Sequence, residues 1–141
     1  MGLAGFTDDE RLGVYRVLSG LLHLGDVEFD SADINKAEGS VVSPSASDFL
    51  DKFCKLFDID EDTARNALTK RTVTTSRDVI VTPVKRAEAT FARDTLAKQV
   101  YSRLFDYVVK RINAGMPVEG VGKHFIGILD ISGFEYFDNN G

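Results

Sequence analysis

Apolar residues recur at helical spacing from the first turns of the chain. Val14, Val17, Leu18, Leu21 and Leu22 fall on one face and predict an amphipathic helix. Thr7 and Glu10 stand at the spacing of a capping box, which marks its start, and Gly25 marks its end. Val27-Glu28-Phe29 reads as a short strand. From Asp30 to Ser43 the periodicity gives way to small and charged residues with Gly39 and several serines, which predicts a flexible surface loop.

A second helix is expected to begin near Ser45 or Ser47, with Phe49, Leu50, Phe53, Leu56 and Phe57 as its apolar stripe. Asp60 has the character of a cap for a third, short helix through Leu68. Thr72 to Val84 is rich in Val, Ile and Thr and is interrupted by Ser76-Arg77-Asp78, the pattern of a hairpin with a polar tip.

The longest helix is predicted from about Lys85 to Asn113. Ala97, Val100, Tyr101, Leu104, Phe105, Val108, Val109 and Ile112 form one continuous stripe along it. Lys110 and Arg111 sit where the helix dipole favours cations, and Gly115 and Pro117 end it. Phe125-Ile126-Gly127-Ile128-Leu129 is apolar on both faces, as a buried strand of a parallel or mixed sheet would be. One such strand cannot make a sheet alone, so its neighbours are expected outside these 141 residues.

Composition narrows the function classes. A net charge of −5 argues against general nucleic-acid binding. The single cysteine, Cys54, forbids an intrachain disulfide and fits a reducing cytosol; it lies in the second helix's apolar stripe as a small core residue. His23 and His124 lack clustered partners and read as surface or packing residues. The opening residues have no signal-peptide pattern, Phe6 stands where a myristoylation signal needs Ser or Thr, and no apolar run is long enough for membrane insertion.

Candidate chemistry lies just past the buried strand, at Asp130-Ile131-Ser132-Gly133-Phe134-Glu135. In open α/β sheets ligands bind beyond the carboxyl ends of strands. An aspartate there can hold a water of hydrated Mg²⁺, and a glycine three residues on lets a backbone N–H approach a terminal phosphate. Loss of that phosphate would free the loop to move. Taken alone, Asp-x-x-Gly is more often a strand-ending turn.

The surrounding residues carry a resemblance. Asp-Ile-x-Gly-Phe-Glu after a Phe-Ile-Gly-x-Leu strand resembles the second nucleotide switch of myosins, and Tyr136-Phe137-Asp138-Asn139-Asn140 is similar to the entry of their relay helix. Gly141 departs from that pattern, where myosins usually have Ser. Arg93-Asp94-Thr95-Leu96-Ala97-Lys98 is similar to the family's Arg-Asp-Ala-Leu-Ala-Lys, with Thr95 for Ala, and Tyr101-Ser102-Arg103-Leu104-Phe105-Asp106 continues the match. Arg16-Val17-Leu18 through Leu22-His23-Leu24-Gly25 resembles the helix before the family's actin-side loops. The motifs keep the family's order over nearly the whole chain, and Gly-Phe-Glu-Tyr-Phe is similar to some unconventional myosins.

The resemblance implies an α/β fold class: a mostly helical part of a P-loop NTPase motor head with one central-sheet strand. Residues 1–123 would form the helical upper part with actin-side loops, 124–135 the strand and switch, and 136–141 the start of the relay segment. It implies an actin-based cytoskeletal motor that uses ATP and Mg²⁺, whose partners are actin filaments and the remainder of the motor head, in the cytoplasm. Asp130 would position Mg²⁺ through water, Gly133 would contact the γ-phosphate, and Glu135 would pair with an arginine of the first switch. Without the resemblance Glu135 reads as a solvated turn carboxylate.

No Gly-x-x-x-x-Gly-Lys-[Ser/Thr] loop occurs in these residues; Gly122-Lys123 is followed by His124. By themselves they are therefore expected to be inactive, and the alternative reading is a truncated, non-enzymatic product that at most binds actin. The Thr72–Val84 hairpin resembles the myosin loop that lies on actin. Position 78, sixteen before Asp94, is where the family carries an acidic or phosphorylatable residue; here it is Asp78. Lys70, Arg71 and Arg77 are candidate partners for acidic actin residues, though a charged tip is also simply a solvated one. The Asp30–Ser43 segment matches another, more variable actin-side loop.

Overall fold

The computed structural model describes residues 5–34, 37–74 and 78–115. Helix α1 spans Asp8–Gly25 behind a complete capping box. The Glu10 amide donates to the Thr7 hydroxyl at 3.2 Å, and the Thr7 amide donates to Glu10 Oε2 at 2.8 Å. Each bond satisfies a donor that the helix start would otherwise leave without a partner.

The buried face of α1 differs from the expected one at a single position. Gly20 and Leu24 are buried, and Val17, Leu18 and Leu21 are half-buried, but Leu22 is 74% exposed. At 3.6 residues per turn Leu22 points about 160° away from Leu24, so both cannot face α2.

The segment expected to be a loop is largely a hairpin. Strand β1 (Phe29–Ile34) pairs antiparallel with β2 (Ala37–Val42), with Phe29 opposite Val42 and Ile34 opposite Ala37. Its polar composition has two causes. The outer positions face solvent, and two of the buried positions on β2 are the small residues Gly39 and Ser40, because another strand comes close there. The strand begins at Phe29; Val27 instead sits in a turn, its N–H donating to Leu24 at 3.2 Å.

A short 3-10 turn (Pro44–Ala46) leads into α2 (Ser47–Phe57), which buries Leu50, Phe53 and Cys54. Asp58 ends α2 in the left-handed conformation, φ 56°, which Asp tolerates better than most residues. Arg16 reaches from α1 to the carbonyls of Lys55 and Leu56, acceptors that the last turn of α2 leaves open. Helix α3 (Glu61–Thr69) starts as expected at Asp60, whose carboxylate accepts from the Thr63 N–H at 2.9 Å. The α1–α2 crossing is close: a Cβ on Gly20 would collide with the Phe57 ring.

Strands β3 (Lys70–Thr74) and β4 (Val79–Pro83) form the second antiparallel hairpin, starting two residues earlier than expected. Helix α4 spans Arg86–Gly115. Its stripe is two rows rather than one. Leu96 and Ala97 pack against the core and Leu104, Val108 and Ile112 are half-buried, whereas Tyr101 and Phe105 are more than half exposed. The second row lies one residue further round the helix, where Tyr101 and Phe105 edge the groove that Val14 and Leu18 of α1 share with Leu104 and Val108.

The core joins Leu24, Val27, Phe29 and Val42 to Leu50, Phe53, Cys54, Leu68, Val84 and Ala89. His23 packs, with its ring 6.2 Å from that of Phe49. Two long-range contacts close the assembly. Arg93 donates to the Val27 carbonyl at 2.8 Å while gripping the Asp94 carboxylate, and Arg111 binds Glu10 at 2.7 and 3.1 Å. The Arg111 guanidinium, helped by the Thr7 amide, holds the Glu10 carboxyl down at about 2. Together the described residues make a mixed helical and antiparallel-strand architecture. The strand expected over Phe125–Leu129 lies outside them.

Candidate functional site

The β3–β4 hairpin is the described element that carries candidate site residues. All five residues of β3 are exposed. Lys70 lies opposite Pro83 and Arg71 opposite Thr82. Because side chains alternate along a strand, Lys70 and Arg71 project from opposite faces of the ribbon. The two cations that sequence placed together are thus separated by the pleat: one face pairs Lys70 and Thr72 with Pro83 and Val81, the other Arg71 and Val73 with Thr82 and Ile80. Asp78 is exposed and immediately precedes β4. Arg77 lies outside the described residues.

The base of this hairpin is tied down on both sides of Val84. Its N–H donates to the Thr69 carbonyl at 3.0 Å, and its carbonyl accepts from the Ser40 hydroxyl at 2.8 Å. Beside that contact, Pro83 closes on Gly39, and Lys85 Nζ reaches Glu38 Oε2 at 2.7 Å. The Lys85 ammonium is held above its usual range by the Glu38 carboxylate. Sequence reasoning missed Glu38, Gly39 and Ser40. The only signal was a glycine and a serine adjacent in a segment without alternation.

On the other side of the hairpin base, a cleft of about 650 Å³ opens between β3 and the first turns of α4, with Leu68, Val84 and Phe91 among its walls and Lys70 and Arg71 on its rim. Phe91 is 72% exposed there. Among the described residues no group of His, Cys, Asp and Glu could hold a metal ion, and no helix is long and apolar enough to cross a membrane.

Asp130, Gly133 and Glu135, the residues expected to sense the nucleotide and position Mg²⁺, lie outside the described residues, as does His124.

The Arg93–Asp94 pair, which carried part of the resemblance, has a structural task. Arg93 is largely covered and joins α4 to the turn after α1 through the Val27 carbonyl. That is a reason for Arg rather than Lys at this position, since a planar guanidinium donates to two acceptors at once.

Comparison with known proteins bears on the whole chain. The family model described as "Myosin head (motor domain)" matches residues 1–141. Unconventional myosin-VI of Homo sapiens is 42% identical over 141 residues, covering 96% of this chain and 11% of that protein. Unconventional myosin-Vc of Homo sapiens is 40% identical over 138 residues, covering 98% of this chain and 8% of that protein. Myosin heavy chain 95F of Drosophila melanogaster is 38% identical over 145 residues, covering 99% and 12%. The chain thus spans about a tenth of the length of these relatives. With the matched residues running from one end to the other, and the relatives all myosins, the chain belongs to the myosin head (motor domain) family.

Proposed function

We propose that this chain is part of an actin-based motor head of the P-loop NTPase type, which couples MgATP hydrolysis to movement on actin filaments. It supplies an actin-contacting hairpin and the γ-phosphate-sensing switch. The observation that carries the reading is the family match across all 141 residues.

Two features support it. The β3–β4 hairpin projects with Lys70, Arg71 and Asp78 exposed, as a polar contact with a charged filament requires. Leu12, Tyr15 and Leu22 on α1 and Tyr101 and Phe105 on α4 leave large apolar side chains in solvent. Exposed apolar surface of that kind marks an interaction face, here for the remainder of the motor head. In this reading Lys70, Arg71 and Arg77 meet acidic groups on actin, and Asp78 supplies a fixed negative charge that needs no kinase. Asp130 positions Mg²⁺ through a water, Gly133 offers its amide to the γ-phosphate, and Glu135 closes the site around the attacking water. Residues 1–123 form the actin-side part, 124–135 the strand and switch, and 136–141 the start of the relay, in a cytoskeletal motor of the cytoplasm.

These 141 residues contain no phosphate-binding loop, so by themselves they bind actin at most and do not turn over ATP. The test uses the complete head that carries this segment. Reversing Lys70 and Arg71 to Glu should raise the actin concentration for half-maximal ATPase activation, more at low salt than at high, and leave turnover without actin unchanged. Unchanged activation at every ionic strength would remove the hairpin from the actin interface.

A further inference from the structure

The β3–β4 hairpin cannot set its own direction. A two-stranded ribbon is marginal alone, and every residue of β3 is exposed. The ties to the body described above lie at its base. There, three consecutive residues of β2 meet three consecutive residues at the end of β4.

Ser40, 1% exposed, donates its hydroxyl to the Val84 carbonyl at 2.8 Å. Gly39 leaves the space that Pro83 occupies; an added Cβ would lie 2.9 Å from Pro83 Cβ and 2.8 Å from Ile34 Cδ1. Pro83 Cβ is fixed by its ring and cannot swing aside. Glu38 and Lys85 complete the junction at 2.7 Å, and both are more than half exposed, so this pair contributes least.

We propose that the β1–β2 hairpin is a positioning strut for β3–β4, with Gly39 and Ser40 setting the angle at which the actin-facing ribbon leaves the body. The inference rests on the actin-contacting reading of β3–β4 given above. A lever argument gives its size. Five residues of strand extend about 17 Å, so a tilt of roughly 10° at Val84 moves the Thr74–Val79 end by about 3 Å. That is a whole hydrogen-bond length, enough to break a polar contact with a rigid filament. Gly39, Ser40 and Glu38 touch no partner in this scheme. They act through where they aim Lys70, Arg71 and Asp78.

The test is made in the complete head. Gly39→Val wedges the two hairpins apart, and Ser40→Ala removes the buried bond. Each should raise the actin concentration for half-maximal activation about threefold or more, with ATPase without actin and nucleotide affinity unchanged. Glu38→Lys should raise it less, and adding Lys85→Glu, which restores an ion pair of reversed polarity, should recover the loss. That recovery would not follow from a general loss of folding. The surface charge variants keep the test alive if Gly39→Val does not fold.

Two failures can be told apart. If reversing Lys70 and Arg71 weakens actin activation but the junction variants do not, the strut is wrong and the actin-facing ribbon stands. If neither set of variants matters, the ribbon reading falls and the strut with it. Junction variants that lower basal turnover and melting temperature in proportion to their effect on actin would also overturn the strut, leaving a contact that only holds the fold.

Discussion

Arg111 and Glu10 lie at opposite ends of the described chain and meet through two hydrogen bonds, at 2.7 and 3.1 Å. Glu10 is also the far half of the α1 capping box. One carboxylate therefore joins the first turn of α1 to the last turns of α4, and its pKa is lowered from 4.5 to about 2 chiefly by Arg111. A depressed carboxyl pKa stabilises the fold fully above the unfolded value. The contribution is lost as pH falls from about 4.5 towards 2. The melting temperature of a head carrying Glu10→Gln should thus lie below the parent's at neutral pH, and the gap should narrow as the pH drops below 4.5. A gap that stays constant through that window would show that charge on Glu10 is not what the contact uses.

Gly20→Ala tests the α1–α2 crossing. Alanine is favoured over glycine inside a helix by about 1 kcal/mol. Against that, its Cβ enters the Phe57 ring, and overpacking of this kind costs typically 1–3 kcal/mol. The clash should win, with a net loss of up to about 2 kcal/mol in urea unfolding. Phe57→Leu placed beside it should recover part of that loss. Stabilisation by Gly20→Ala alone would mean that the helices separate freely at this point.

Arg93→Lys should be a costly exchange despite keeping the charge. Lysine cannot hold both Asp94 and the Val27 carbonyl in the same geometry. A covered carbonyl left without its donor costs about 1–3 kcal/mol. Hydrogen exchange should speed up in the turn after α1 and in the adjoining part of α4. Protection equal to the parent's in both places would contradict this.

At the switch, Glu135→Ala in the complete head should slow the chemical step by roughly a hundredfold or more while ATP still binds. Gly133→Ala adds a Cβ where the backbone is proposed to approach the γ-phosphate, so it should block closure on ATP. Single-turnover kinetics, with nucleotide affinity measured separately, distinguishes the two. Weakened ATP binding with an intact chemical step would reassign Glu135, and normal turnover in both variants would return these residues to a strand-ending turn.

Sequence pattern reached the elements whose signals are local. Thr7 with Glu10 and Asp60 with Thr63 are caps made within three residues, and both occur where the spacing places them. The β1–β2 hairpin was not legible because its buried positions on β2 include Gly39 and Ser40, residues that read as loop. They are small because β4 lies against them, and β4 is more than forty residues away in sequence. The same limit explains Leu22, Tyr101 and Phe105. Helical spacing says that a face is apolar but not how far a neighbouring helix extends over it. Lys70 and Arg71 were found as exposed cations, yet their separation onto two faces follows from strand register.

The double duty of Glu10 also has a schedule. Its capping partner, Thr7, leaves the ribosome with it. Arg111 follows 101 residues later, which at ordinary rates of synthesis is a delay of about 5–20 s. For that interval the capping box can form, but its carboxylate lacks the arginine partner. When Arg111 emerges on α4 it can meet an acceptor that Thr7 already orients, so less side-chain freedom is lost in making that contact.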